Sequence, residues 1–457
     1  MRMHRGIWLA AVGVAVAVGV TLVALPRAPE WTTSSPEALA EFEAGFDAQQ
    51  KVYTEDALKH FARAIELDPD FLFAKLRYAA LLRELNSNPE QANALFAELA
   101  EADITALTPR ERFLIERMRA LRDGRVDEAA HILDGYLANH PDDPHALHLK
   151  AQIAWNRGYL EEAERLFQQV LRVEPNWVVA YNALGYIAMT QGRFAESEEY
   201  FMSYRFIAPD QANPHDSLGE LFITTGRYDE AADSLERAIE IRPDFFASYD
   251  HLISAQTAIG DFEDARDTIE RARREGMSDD DVFRLTCQVE FQELERNMEW
   301  RKILEKRDSE CVTGFVVGSA AVTTHLAACR LGDWDTVQSI EDEAAALLAT
   351  MQREGAVRDA ALLQNEINHM KGVRLAIKGE FELAEELILA ADRGLTYMET
   401  EPARFKLNNR LVLVEVLFAA GRDADAHKLL TEVRSVNPAM AEDFQESGFR
   451  VLGLDRG

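Results

Sequence analysis

Residues 178–211, VVAYNALGYIAMTQGRFAESEEYFMSYRFIAPDQ, run directly into residues 212–245, ANPHDSLGELFITTGRYDEAADSLERAIEIRPDF, and the two stretches are equal in length. Superposed, they place Leu184 on Leu218, Gly185 on Gly219, Gly192 on Gly226 and Pro209 on Pro243. The same spacing carried outward gives a glycine column at Gly124, Gly158, Gly192, Gly226 and Gly260, and a small-residue column at Ala129, Ala163, Ser197, Ala231 and Ala265. Pro141, Pro175, Pro209 and Pro243 form a third column in step with both. Within each copy apolar residues recur at i, i+3, i+4 and i+7, the spacing of one helix face. Glycine falls where the first helix must end, and proline closes the second by disfavouring the αR conformation in the residue before it. Each copy therefore reads as helix, turn, helix, turn, with the small residues where two helices of a hairpin cross closely, Gly219 against Ala231 among them.

In Tyr181, Leu184, Gly185, Phe194, Ser197, Phe201 and Pro209 this pattern resembles the tetratricopeptide repeat (TPR), a family whose repeat period equals the spacing of these columns. The resemblance implies an all-α fold, an α-solenoid of stacked helix-turn-helix repeats that grows by addition and needs no single central core. It divides the chain into divergent repeats at 38–109, a regular block at 110–276, a degenerate repeat at 277–310, divergent repeats at 311–438, and a C-terminal capping helix and tail at 439–457. After Gly276 the glycine column is lost, and Trp300 stands close to where a small residue belongs. Later copies resume around Gly332, Gly379 and Gly421 at wider spacing.

The first residues bear on location. Gly6 to Leu25 is an unbroken run without a charge, preceded by Arg2, His4 and Arg5. A helix of that length spans about 30 Å, the thickness of a bilayer core. We read 1–5 as a cytoplasmic tail, 6–26 as a transmembrane helix and 27–37 as a linker with Trp31 at the membrane edge. The positive-inside rule then places the repeats on the outer side of a bacterial cytoplasmic membrane, in the periplasm. A cleavable signal peptide has the same polarity and would release a soluble exported chain, but the residues before Ala24 and Ala28 fit a cleavage site poorly. The uncharged run 311–328 is broken by Thr313, Ser319, Thr323, Thr324 and His325, and reads as a buried helix rather than a second span.

Forty-nine basic against 79 acidic residues leave a net charge of −30, which repels phosphate backbones; with no basic stripe in the sequence to offset it, no nucleic acid is expected as a partner. Dinucleotide, P-loop, zincin and nucleophile-elbow motifs are absent from the sequence, so no catalytic residue and no cofactor is expected. His131, His140, His145 and His148 crowd one short stretch, and His145 with His148 at i and i+3 is a weak candidate for a metal. The preferred alternative is a chance crowding of exposed histidines on one loop. Among Cys287, Cys311 and Cys329 two could pair and leave one free, or all three are ordinary buried thiols.

The resemblance also implies a binding groove lined by the first helices. The matching residues are His148, Trp155, Asn182, Tyr186, Asp216, Glu220 and Asp250. Lysine and arginine are scarce among them, so the lining favours a partner protein or peptide with basic side chains. The expected function is a non-catalytic protein-interaction scaffold, with a ligand- or metal-sensing accessory subunit as the alternative.

Overall fold

In a computed structural model the described residues are 31–313, 319–397, 400–448 and 451–454. Among them every regular element is an α-helix. The apolar segment 6–26 lies outside the described residues, and no helix among them is long and apolar enough to cross a membrane. The chain divides into two compact units, Met1–Glu43 with Leu58–Ile132, and Ala44–Ala57 with Leu133–Gly457.

The three sequence columns are visible as local geometry. Helix Leu160–Val173 buries Ala163, Leu166, Phe167 and Val170 on one stripe and turns Glu161 and Glu162 to solvent. Before it, Gly158 sits at φ +77°, and the Tyr159 N–H reaches back to the Ala154 carbonyl at 2.9 Å, closing the preceding helix. The same turn recurs at Gly192 and Gly226, where Arg193 donates to Ala188 and Arg227 to Phe222. Ala163, Ser197, Ala231 and Ala265 are all fully buried.

The partner of Gly219 differs from the expectation. A Cβ built on Gly219 would meet Leu235 Cγ at 2.5 Å, and the equivalent contacts pair Gly185 with Phe201 and Gly372 with Ile388. The glycine thus makes room for a large side chain of the second helix, while Ala231 is buried one turn earlier on that helix.

In the first unit Trp31 is a core residue, not part of a linker at a membrane edge. It is buried, stacked on Phe73 at 4.6 Å between ring centroids and edge-on to Phe42 at 5.3 Å. Next to it the fully buried Glu111 accepts from the Thr32 N–H (2.9 Å) and hydroxyl (2.6 Å), while forming a capping box with Thr108.

In the second unit helical hairpins continue past Gly276, with the register of the columns displaced by one turn. Helix Asp279–Arg296 has 18 residues where the first helices of the preceding copies have 13 or 14. The extra turn moves the chain reversal from the glycine column to Met298, at φ +54°. The small-residue position moves by the same turn onto Ile303, which is fully buried. An insertion of about one helical turn keeps the buried face aligned, so the stacking survives although the sequence columns break. The described parts of the uncharged run 311–328 are helices Glu310–Thr313 and Ser319–Leu331, the latter burying Thr324 and His325. Cys287 and Cys311 form a disulfide, and Cys329 is a buried thiol.

The C-terminal helices do not simply cap the last repeat. Asn437 is buried and its Nδ2 donates to the Thr224 carbonyl (3.2 Å) and the Tyr228 hydroxyl (3.2 Å), both far away in the chain, while its Oδ1 caps helix Pro438–Glu446 through Met440 N–H. Phe194 meets Tyr397 edge-on at 5.2 Å, and helix Ala212–Thr224 contacts helix Thr400–Ala419. Beyond the final helix, Glu415 accepts the N–H groups of Val451, Leu452 and Leu454 at 2.5 to 2.6 Å. The repeats of this unit therefore close back on themselves, and every residue of helix Ala212–Thr224 is buried.

Candidate functional site

Apart from Trp155, the expected groove residues fall into two columns on the first helices, each keeping the period of the repeat. One runs His148, Asn182, Asp216, Asp250 and on to Arg284; the other runs Gln152, Tyr186, Glu220, Ser254 and Gln288. Neighbouring copies touch along them. Asn182 Oδ1 accepts from Ser217 (2.9 Å), Tyr186 donates to Glu220 (2.8 Å), and Asp216 Oδ1 accepts from Ser248 (2.7 Å) and His251 (3.0 Å). Asp250 accepts from Arg284 at 2.9 Å.

These contacts correct the picture of three carboxylates without a cation beside them. Asp216 and Glu220 are buried and hydrogen bonded, and Asp250 is ion-paired with the next member of its own column. Burial alone would push the His251 imidazole down, but Asp216 against it wins and raises its pKa to about 10. Burial and the nearby Glu220 and Asp216 carboxylates hold the Tyr186 phenol well above its ordinary value. The carboxylates of this stretch thus serve the stacking of adjacent copies.

At the amino-terminal end of the column, His145 lies against Phe46 and Trp177, at 5.3 and 4.8 Å between ring centroids, and His148 against Phe167 and Trp177 at 5.4 and 5.9 Å. Trp155 meets Phe167 edge-on at 6.2 Å. His145 and His148 are therefore members of an aromatic cluster. No group of three or more His, Cys, Asp or Glu side chains among the described residues is arranged to hold a metal.

At the other end the columns open onto a cavity of about 410 Å³, within the size range of small-ligand sites. Arg284, Gln288 and Glu295 reach it from helix Asp279–Arg296, Thr323 and His325 from Ser319–Leu331, His369 from Val357–Ile377, and Arg404 from Thr400–Ala419. Its apolar walls include Leu326, Val373, Phe405 and Val412. His325 is committed to Glu341 (3.2 Å), which also takes Arg374 at 2.8 Å. With the Gln292 amide oxygen facing it, Arg404 donates both terminal nitrogens to that oxygen at 2.7 Å. Burial raises the Glu295 carboxyl above its usual pKa, against the pull of Arg404 and the Thr323 hydroxyl.

The tautomer of His369 follows from its neighbour. Asn409 Nδ2 donates to the Ile388 carbonyl at 2.9 Å, so Asn409 Oδ1 accepts from His369 Nδ1 at 2.8 Å. Nε2 is left as a bare acceptor. Burial, with only Asn409 opposing it, lowers the imidazole to about 4 and keeps it neutral.

Arg284, Glu295, Thr323, His369 and Arg404 were absent from the sequence-based site. For Arg284 a signal existed: one further period beyond Asp250 lands on it. The others come from the lengthened part of helix Asp279–Arg296 or from helices where the period has widened, and only the closure of the unit brings them together.

Fold and site together define a helical-repeat protein with a cavity of mixed polar and apolar lining at the end of its inner columns. Family models for the tetratricopeptide repeat match residues 118–176, 148–212 and 222–286, and these stretches are TPRs. No curated protein sequence gives a match. Among solved structures, MamA from Desulfovibrio magneticus RS-1 is similar at 19% identity over 37% of this chain and 97% of its own, with a TM-score of 0.33. PilW, described as a type IV pilus biogenesis factor, is similar at 18% identity over 43% of this chain and 94% of its own, with a TM-score of 0.36. A tetratricopeptide repeat protein from Parabacteroides merdae ATCC 43184 is similar at 15% identity over 61% of this chain and 97% of its own, with a TM-score of 0.34.

Proposed function

We propose that this chain is a non-catalytic interaction scaffold that holds a segment of a partner protein on the inner face of its repeats, at the cavity beyond Asp250. The observation that carries this reading is the cavity itself. The inner columns are sealed by their own hydrogen bonds at Asp216 and Glu220, whereas at Arg284 and Gln288 they face a space of about 410 Å³ with polar and apolar walls. Among the groove positions, Trp155, Asn182, Tyr186 and Asp250 stay partly exposed and extend the surface a partner can follow; the buried Asp216 and Glu220 support it. The acidic balance of the chain favours a segment with basic side chains.

The scaffold works outside the cytoplasmic membrane, anchored by residues 6–26. The Cys287–Cys311 disulfide supports that placement, because such bonds persist in oxidising compartments. A second reading, a sensor of a small ligand, is favoured by the cavity volume. Photo-crosslinking in cells separates inner from outer surfaces. A crosslinking residue at Asn408, on the cavity wall, or at Asp250 should give a discrete protein adduct. Adducts formed only from the exposed Phe206 would refute the reading.

A further inference from the structure

The cavity presents two acceptor atoms that its own walls leave without a donor. One is His369 Nε2, on a side chain only 6% exposed, fixed as an acceptor by the Asn409 hydrogen bond on the opposite nitrogen. The other is Glu295 Oε1: the Thr323 hydroxyl donates to Oε2 at 3.2 Å, and among the described residues no hydrogen bond reaches Oε1. Both residues line the cavity, so the N–H or O–H that these acceptors take must come from what the cavity holds, water or a ligand.

Charge narrows the choice. The two guanidinium groups on the walls are engaged, Arg284 with Asp250 and Arg404 with the Gln292 oxygen. Both guanidinium groups are thus turned to protein acceptors, and the Glu295 carboxyl faces the cavity beside them. An anionic ligand would meet this carboxyl and the His369 acceptor. A cationic donor would satisfy both acceptors and offset the Glu295 carboxylate, and the walls formed by Leu326, Val373, Phe405 and Val412 suit an aliphatic stem behind it.

We propose that this cavity is a binding site for an alkylammonium group, held by Glu295 and His369 with its methylene stem against the apolar walls. The group is a lysine side chain of a partner or a free aliphatic amine; the inference rests on the scaffold reading only for the first source. Thr323 acts as a positioning residue by holding one oxygen of Glu295 so that the other faces the ligand.

The test is calorimetric titration of the full chain, at fixed ionic strength, with 1,5-diaminopentane, with a lysine-containing peptide and with succinate as the anionic counterpart. Saturable binding of a cationic probe is expected, with succinate inert. Glu295→Gln, which keeps the shape and the Thr323 contact, should weaken binding about tenfold or more. Glu161→Gln, an exposed charge removed elsewhere, should leave it unchanged. Succinate binding as tightly as the diamine, or indifference to Glu295→Gln, overturns the proposal. Should Glu295→Gln fail to fold, the ¹⁵N resonance of His369 Nε2 decides: it must shift on adding diamine, and an unmoved resonance overturns the site. Tighter binding of the peptide assigns the cation to a partner protein, tighter binding of the diamine to a free amine, and both uphold the ammonium site. A protein adduct at Asn408 without any amine binding would sink this inference and leave the scaffold function standing. Amine binding without an adduct would do the reverse.

Discussion

Replacing Gly219 by alanine measures how tightly the repeat hairpin is closed. In an exposed helix the change should stabilise by about 1 kcal/mol, because alanine is the better helix former. Here the added Cβ would lie 2.5 Å from Leu235 Cγ, 2.7 Å from Cδ2 and 3.1 Å from Cδ1. Neither side can yield easily, since helix Ala212–Thr224 is buried along its whole length and Leu235 is fully buried. Overpacking of this kind costs about 1 to 3 kcal/mol, and the contact is close enough to place it in the upper half of that range. We therefore expect Gly219→Ala to destabilise by about 1 to 2 kcal/mol net. In a Leu235→Ala background the obstructing atoms are gone, and the same change should stabilise by up to about 1 kcal/mol. The coupling between the two sites is then about 2 to 3 kcal/mol, well above the error of additivity. Urea unfolding of the four proteins followed by circular dichroism gives the cycle. If Gly219→Ala stabilises the native background, or has the same effect in both, the close crossing does not exist.

Three further outcomes follow from individual contacts. His369, about 6.5 when unfolded and lowered to about 4 by burial, gives stability that is complete above pH 6.5 and declines as pH falls through the window to 4. The loss is about 3 kcal/mol and should be missing from the pH profile of His369→Phe. Asn437→Ala removes the donor to the Thr224 carbonyl and the cap of helix Pro438–Glu446, and should cost about 2 to 4 kcal/mol in chemical denaturation. Trp31→Ala should cost about 3 to 5 kcal/mol, seen as a lower unfolding midpoint; a change within error would return Trp31 to a surface linker.

The regular block was legible because its signals are local. A glycine at positive φ and a proline after a helix act within a few residues, so evenly spaced columns translate directly into hairpins. The copy after Gly276 was lost because one added turn shifted the reversal to Met298, a residue type that carries no turn signal. Trp31 misled because a tryptophan near an apolar segment fits a membrane edge as well as a core. The groove was half legible: the columns are in contact, but a list of acidic positions does not reveal that Ser248, His251 and Arg284 satisfy them. The cavity was not legible, because its walls come from helices far apart in the chain, joined by contacts such as that of Arg330 with the Val451 carbonyl.

Closure of the second unit is the claim on which the sealed groove and the cavity both depend, and a distance between two spin labels tests it most directly. Glu230 and Glu442 are exposed, and each lies near the contact that joins Gly226 to Asn437 and Ala439. With Glu230→Cys and Glu442→Cys carrying nitroxides, each about one helical turn of roughly 5.4 Å from that contact, the account predicts one narrow distance below about 30 Å. An array that kept stacking outward, at about 10 Å per layer, would separate the labels by about 50 Å, and a distribution centred there would contradict it.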